Sequence, residues 1–319
     1  MKRAGWMAVV GLAAAVASIG VRADVKTQEK TTFKMEGLLG AFVNRAAGGA
    51  NGRTTSIALQ GDRLAQSADN NTSTIVDLKE ERIYTVDVRK KEYSFVTFAE
   101  MRAQIEKARQ DLEKQQAEAN PEDKAKVEEA ARQLELDVTV KETGQRRTIA
   151  GHDASETVLT LTLREKGKTL EESGGFVMTN NLWLGPRVAA LDELVQFRLR
   201  QFKAIYGQAF DAQQLNAAAV MMPGLGRFME RMAAESKKLS GTALATTSVF
   251  ESVKSAEQVK AGPAPASGGG ISGMIARRVA GGSTKPRSVV LTTTSETLSI
   301  GTTVSAEEVA IPAGFKEKK

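Results

Sequence analysis

The chain has 319 residues, 44 Lys and Arg against 38 Asp and Glu, a formal net charge of +6, one histidine and no cysteine. The lack of cysteine excludes disulfides, thiolate metal sites, a cysteine nucleophile and bacterial lipid attachment, and a lone histidine leaves a zinc site short of its usual ligands. With 41% hydrophobic and 5% aromatic residues, the composition predicts one moderate core with polar insertions rather than a dense enzyme-sized interior.

Residues 1–23 read as a secretory signal peptide. Lys2 and Arg3 form a positive n-region, Trp6 to Val21 an apolar stretch, and Val21-Arg22-Ala23 the cleavage pattern. The apolar stretch is shorter than the ~20 residues a membrane-spanning helix needs, and no later segment approaches that length. The expectation is cleavage after Ala23, a periplasmic location, and a mature chain beginning at Asp24 with no transmembrane segment. Loss of Lys2, Arg3 and Arg22 brings the charge to about +3. That is too mild to make nucleic acid the main partner, yet it permits weak attraction to an anionic membrane surface.

The remainder, 24–319, is expected to be a single domain. Thr31 to Glu36 opens a first strand, and a Gly/Ala/Asn loop follows from Ala46 to Gly52. Alternating runs at Thr54–Leu59, Ser73–Leu78, Arg82–Val88 and Glu92–Phe98 predict antiparallel strands. In the third, Tyr84, Val86 and Val88 share one face and Thr85 and Asp87 the other. At Ala99 the composition turns to Ala, Glu, Gln, Lys and Arg, good helix formers. Residues 99–135 therefore read as an inserted helical hairpin broken at Asn120-Pro121. Thin apolar stripes run along its arms: Met101, Ile105, Ala108 and Leu112, then Val127, Ala131 and Leu134.

Strands resume at Leu136, with a turn predicted at Thr143-Gly144-Gln145. Further strands are expected at Thr157–Leu163 and Gly174–Leu184. A helix over 189–207 places Leu191, Leu194, Val195, Leu199, Phe202 and Tyr206 on one broad apolar face. A second helix over 224–238 turns Leu225, Phe228, Met229 and Met232 inward. Thr242–Val253 is a strand, 261–286 a flexible Gly/Pro-rich loop, Ser288–Val304 a Thr-rich strand or hairpin, and Val309–Phe315 an extended tail that docks along the sheet. No clear internal repeat is visible. Strands, hairpin, strands, helices, strands in that order predict an α+β fold, with a curved antiparallel β-sheet packed on helices.

The series Ser73-Thr74-Ile75-Val76-Asp77, Ile83-Tyr84-Thr85-Val86-Asp87 and Lys91-Glu92-Tyr93 resembles consecutive hairpins in an uncharacterised family of exported bacterial proteins, a domain of unknown function. Phe98-Ala99-Glu100-Met101 before a charged helical insert, Thr143 to Gly151 before a strand, and Trp183-Leu184 before a helix occur in the same order. More distantly the layout is similar to lipoprotein-sorting carriers of the LolA/LolB type. That resemblance implies a half-open barrel around helices and an apolar cavity for acyl chains. The insert at 99–135 and the tract at 261–286 depart from the carrier pattern.

Candidate chemistry is sparse. Gly151-His152-Asp153 with Ser155 suggests a triad, but neighbours in an extended chain point to opposite sides, whereas a triad converges from separate segments. Gly268, Gly270 and Gly273 match G-x-G-x-x-G, yet Pro263-Ala264-Pro265 stands where a strand is required. The pairs Glu122-Asp123, Glu171-Glu172 and Glu307-Glu308 lie in polar turns rather than across a cleft. Ile271, Met274, Ile275 and Val279 beside Arg277 and Arg278 have the spacing of a short amphipathic helix. Met221, Met222, Leu225, Phe228, Met229 and Met232 form a candidate apolar ligand or lid surface, since methionine adapts to irregular apolar ligands. The resulting expectation has no catalytic, cofactor or metal site. It is a non-enzymatic binding or carrier-like protein for lipid or acyl chains. The alternative is an envelope interaction module that binds a protein partner through the 99–135 hairpin.

Overall fold

The computed structural model describes residues 24–36, 51–68, 71–118, 129, 133–206, 230–231, 234–235, 239–260 and 285–318. Strands β1 (Val25–Met35), β2 (Arg53–Gln60), β3 (Arg63–Ser67), β4 (Thr72–Asp77), β5 (Arg82–Asp87) and β6 (Glu92–Thr97) form one antiparallel meander. Helix α1 (Phe98–Glu118) follows it. Strands β7 (Leu134–Ile149), β8 (His152–Glu165), β9 (Gly175–Gly185), β10 (Thr242–Val253) and β11 (Arg287–Gly301) form a second meander. Between its strands stand α2 (Leu170–Ser173), α3 (Ala189–Tyr206) and α4 (Ala256–Lys260). A 3-10 turn at Ala306–Val309 precedes the short strand β12 (Lys316–Glu317).

The two meanders join where β1 pairs antiparallel with β11, Lys30 opposite Glu296. At the far edge β12 lies parallel on β6, Lys316 opposite Glu92. The result is one mixed sheet of 12 strands in the order β12-β6-β5-β4-β3-β2-β1-β11-β10-β9-β8-β7. This corrects the expected fold. The α+β, LolA/LolB-like half-open barrel packed on helices does not form; the sheet is open and dominates the structure. The physical reason is connectivity. Hairpins extend the sheet sideways strand by strand, β7 and β12 remain unpaired with each other, and the described helices cover only part of so wide a surface.

Local sequence explains the ladder. In the β4–β5 loop, Asp77 Oδ1 accepts from the backbone N–H of Lys79 and Glu80, each at 2.9 Å. The same side chain takes a 2.6 Å ion pair from Arg63 Nε. The β5–β6 loop repeats the device, with Asp87 Oδ1 accepting from Lys90 N at 3.1 Å. Both loops close through a left-handed residue, Glu81 and Lys91. Burial of Tyr84 and Val86 on one face of β5, packed with Ile75, Tyr93 and Phe95, follows from the alternation in sequence. Helix α1 starts at a capping box: Glu100 N donates to Thr97 Oγ1 (3.1 Å) while Thr97 N donates to Glu100 Oε2 (2.8 Å).

Three local expectations change. Strand β3 is short and carries a single large apolar residue, Leu64, so its alternation is faint. The predicted turn at 143–145 is an irregularity inside β7, where Thr143 Oγ1 donates to Glu156 Oε2 at 2.8 Å. The reversal comes later, at Ala150-Gly151, both left-handed. Strand β1 begins at Val25, well before Thr31.

The sheet is covered on both faces around β2–β5. On one face Val25, Ile57, Leu59, Leu64 and Val76 meet Phe98 of α1 and Ala190, Phe197 and Ile205 of α3. On the other, Val304 and Val309 pack on Ala58, and Ile311 and Phe315 on the Tyr84 cluster. The tail expected at Val309–Phe315 thus docks on the sheet, on the face opposite the helices. The loop at Ala46–Gly52 is described only from Asn51, and the tract 261–286 only at its last two residues. Of the second hairpin arm only Glu129 and residues from Gln133 are described, and of the helix at 224–238 only Glu230, Arg231, Ala234 and Glu235. No described helix is long and apolar enough to cross a membrane.

Candidate functional site: a groove beside helix α3

Helix α3 is apolar on more than one side. Ala190, Phe197 and Ile205 are buried and Leu194 packs with them. Val195 (55% exposed), Leu199 (47%), Phe202 (38%) and Tyr206 (38%) stand at helical spacing on a second ridge. The face expected from sequence merged members of both sets and did not include Phe197, the most deeply buried described residue of the helix. The corrected division leaves a ridge outside the described core cluster. An apolar helix with two such sides carries more hydrophobic surface than one sheet contact consumes, and that is the sequence signal for it.

The second ridge forms one wall of an open groove of about 680 Å3. Its floor is the sheet: Glu29 and Thr31 of β1, Thr55 and Ile57 of β2, and Gln66 of β3. Register puts them on one face, since Thr55 lies opposite Glu29, Arg53 opposite Thr31 and Gln66 opposite Ile57. The helix is fixed over this floor at both ends. Val188 N donates to Thr242 Oγ1 at 3.1 Å before its first turn, and Arg102 of α1 donates to Ala204 O at 2.5 Å in its last. A cation on those terminal carbonyls also complements the helix dipole.

Arg198 is the cation among the lining residues of the groove and was not singled out in sequence. Its guanidinium donates to Gln66 Oε1 at 2.8 Å and to Gln201 Oε1 at 3.1 Å. Burial pulls its pKa below the ordinary arginine value. Across the groove Glu29 is already engaged by the Ser295 hydroxyl.

A smaller cavity of about 440 Å3 lies over the β9–β11 and β1 region, with Lys30, Thr32, Trp183, Thr247 and Thr294 in its lining. Arg147 of β7 covers the Trp183 ring at 4.4 Å and reaches Glu296 of β11 at 3.0 Å. The ring is thus occupied by a side chain that is itself neutralised.

The other candidates occupy separate places. His152 faces Ile149 across the β7–β8 turn, while Asp153 accepts from Thr148 Oγ1 at 3.0 Å and Ser155 pairs with Arg146 further along. The three do not converge. Glu172 closes the capping box of α2 with Thr169, and Glu308 that of the 3-10 turn with Ser305 while also pairing with Lys26. Those contacts hold Glu172 and Glu308 below the usual carboxylate range, the backbone bond from Thr169 leading for the former and the Lys26 hydrogen bond for the latter. Glu122-Asp123, the glycine pattern at 268–273, the Ile271–Val279 segment and the surface of Met221, Met222, Leu225, Phe228, Met229 and Met232 lie outside the described residues. Among the described residues no three His, Asp or Glu side chains gather as a metal site. The chain matches no protein-family model, and no curated protein matches it in sequence.

Proposed function

We propose that the protein is a soluble, periplasmic, non-enzymatic carrier-like protein that holds one apolar chain, such as an acyl chain, in the groove between α3 and strands β1–β3. One observation carries the reading: Val195, Leu199 and Phe202 remain substantially exposed on a helix whose opposite side is fully buried, beside Ile57 in a groove of about 680 Å3. Ligand sites of small molecules occupy roughly 300–1,000 Å3 and are mostly apolar with a few placed polar groups. Covering this ridge would release apolar surface from water at about 25 cal/mol per Å2. The test is native mass spectrometry with lipid extraction on protein purified from its own periplasm. A stoichiometric single-chain lipid supports the reading; a ligand-free chain that takes up no hydrophobic probe contradicts it.

A second reading rests on α1. Met101 and Ile105 pack on the core, whereas Glu106, Lys107, Ala108, Gln110 and Asp111 are exposed, so the helix leaves the sheet after about two turns. Such an arm suits a protein partner of the cell envelope. Deleting 106–132 would then abolish partner co-purification with the sheet intact, and persistence of the partners would rule the arm out.

A further inference from the structure

We infer that the groove selects a chain bearing a single carboxylate, a long-chain fatty acid anion, with Arg198 as the residue that receives the head. This rests on the reading of the groove as an apolar-chain site and adds the chemistry of the ligand. Several of the described arginines are matched to acids, while the exposed Arg89 donates to the Asn71 amide oxygen. Arg63 pairs with Asp77 at 2.6 Å, Arg164 with Asp137 at 2.6 Å, Arg200 with Glu193 at 3.2 Å, and Arg287 with Glu251 at 2.5 Å. Arg198 differs. It is half-buried, and its two hydrogen bonds go to the neutral amide oxygens of Gln66 and Gln201.

Those amides orient the guanidinium without cancelling its charge. A guanidinium has five N–H donors in a planar fork suited to a carboxylate, so donors remain after the two amide bonds. Partly withdrawn from water, the cation gains more from an anion than an exposed one does. Val195, Leu199 and Phe202 lie beside it in the same groove, so head and chain contacts are contiguous.

Charge count favours a monoanion. The groove offers one guanidinium among its lining residues, and Glu29 lies in its floor. A phosphate monoester, nearly a dianion at neutral pH, would find no second cation among the lining residues and would face that carboxylate. Size favours one chain. If a methylene occupies about the volume of a water molecule in the liquid, ~30 Å3, a chain of about 16 carbons fills on the order of 500 Å3. That fits the 680 Å3 groove, and two such chains do not.

The experiment compares cis-parinaric acid with its methyl ester by fluorescence titration of the full mature chain, with hexadecanoate and hexadecyl phosphate as competitors. The acid is expected to bind at least tenfold more tightly than the ester, equivalent to about 1.4 kcal/mol. Arg198→Gln is expected to bring the two within about twofold by weakening the acid. Equal binding of acid and ester to the unmodified protein overturns the head assignment and leaves the groove reading standing. Tighter competition by hexadecyl phosphate than by hexadecanoate overturns the carboxylate class. An acid preference that survives in folded Arg198→Gln removes Arg198 from the role. Binding of neither ligand defeats the groove reading itself. The acid–ester comparison needs no variant, so it decides even if Arg198→Gln does not fold.

Discussion

Replacing Phe197 and Leu199 by alanine, one at a time, tests whether α3 has two functional sides. The residues are two positions apart and so lie on different faces of the helix. Phe197 is fully buried against Leu59, Leu64 and Phe98, whereas Leu199 is 47% exposed. A buried Phe→Ala change removes both transfer energy and packing, about 3–5 kcal/mol. Leu199→Ala has about half its surface already in water and no buried contact set to empty, which limits its cost to under about 1 kcal/mol. Equilibrium urea unfolding by circular dichroism reads the difference. With a slope of about 3 kcal/mol per molar, Phe197→Ala lowers the midpoint by about 1–1.7 M and Leu199→Ala by less than ~0.3 M. Binding of a hydrophobic probe should follow the reverse order, falling severalfold in Leu199→Ala under conditions where both variants are folded. Equal loss of stability in the two variants would refute the division of the helix into a core side and a ligand side.

Gly175→Ala should lose β9, because its Cβ would stand 2.1 Å from Leu163 O at a backbone φ of 155°; more than about 3 kcal/mol of destabilisation or loss of soluble protein is expected by thermal melt, against roughly 1 kcal/mol for Gly151→Ala, where space is open. Burial acts to raise the Asp137 carboxyl, but hydrogen bonds from Arg231 and Arg164 outweigh it and hold its pKa below 3.8. Its stabilisation is therefore present above that value and is lost as pH falls through the lower folded one. Asp137→Asn should cost about 1 kcal/mol at pH 7, and the gap to the unmodified protein should close in melts taken below pH 3.8; a gap independent of pH contradicts this. Thr97→Ala removes the capping box of α1 and should cost about 1 kcal/mol in urea, with the sheet unaffected.

Strands whose faces differ in polarity were legible. Tyr84 and Val86 against Thr85 and Asp87 place β5, and the run Thr242–Val253 coincides with β10. The backbone bonds that the Asp77 and Asp87 carboxylates accept explain the tight loops between successive strands. Strand β3 was hidden because Arg63-Leu64-Ala65-Gln66-Ser67 offers one strong apolar residue. The overall architecture was not legible for a different reason. Whether consecutive hairpins close into a barrel or continue as an open sheet depends on the β1–β11 register and the β12–β6 pairing, contacts between the ends of the chain that no local pattern encodes. The groove was half legible. Val195, Leu199 and Phe202 were recognised as part of one broad apolar face, but not separated from the core side, because periodicity identifies a stripe without saying which element covers it. Arg198 became visible only when Gln66, 132 positions away, was brought beside it.

The most direct test of the groove is photocrosslinking with an alkyl chain carrying a diazirine near its end, followed by peptide mapping. The predicted result is one label per chain, confined to α3 around Val195–Phe202 and to β1–β3 around Thr31, Thr55 and Ile57, with labelling suppressed by Leu199→Glu. Labels spread over the surface, or concentrated away from these residues and insensitive to Leu199→Glu, would contradict it.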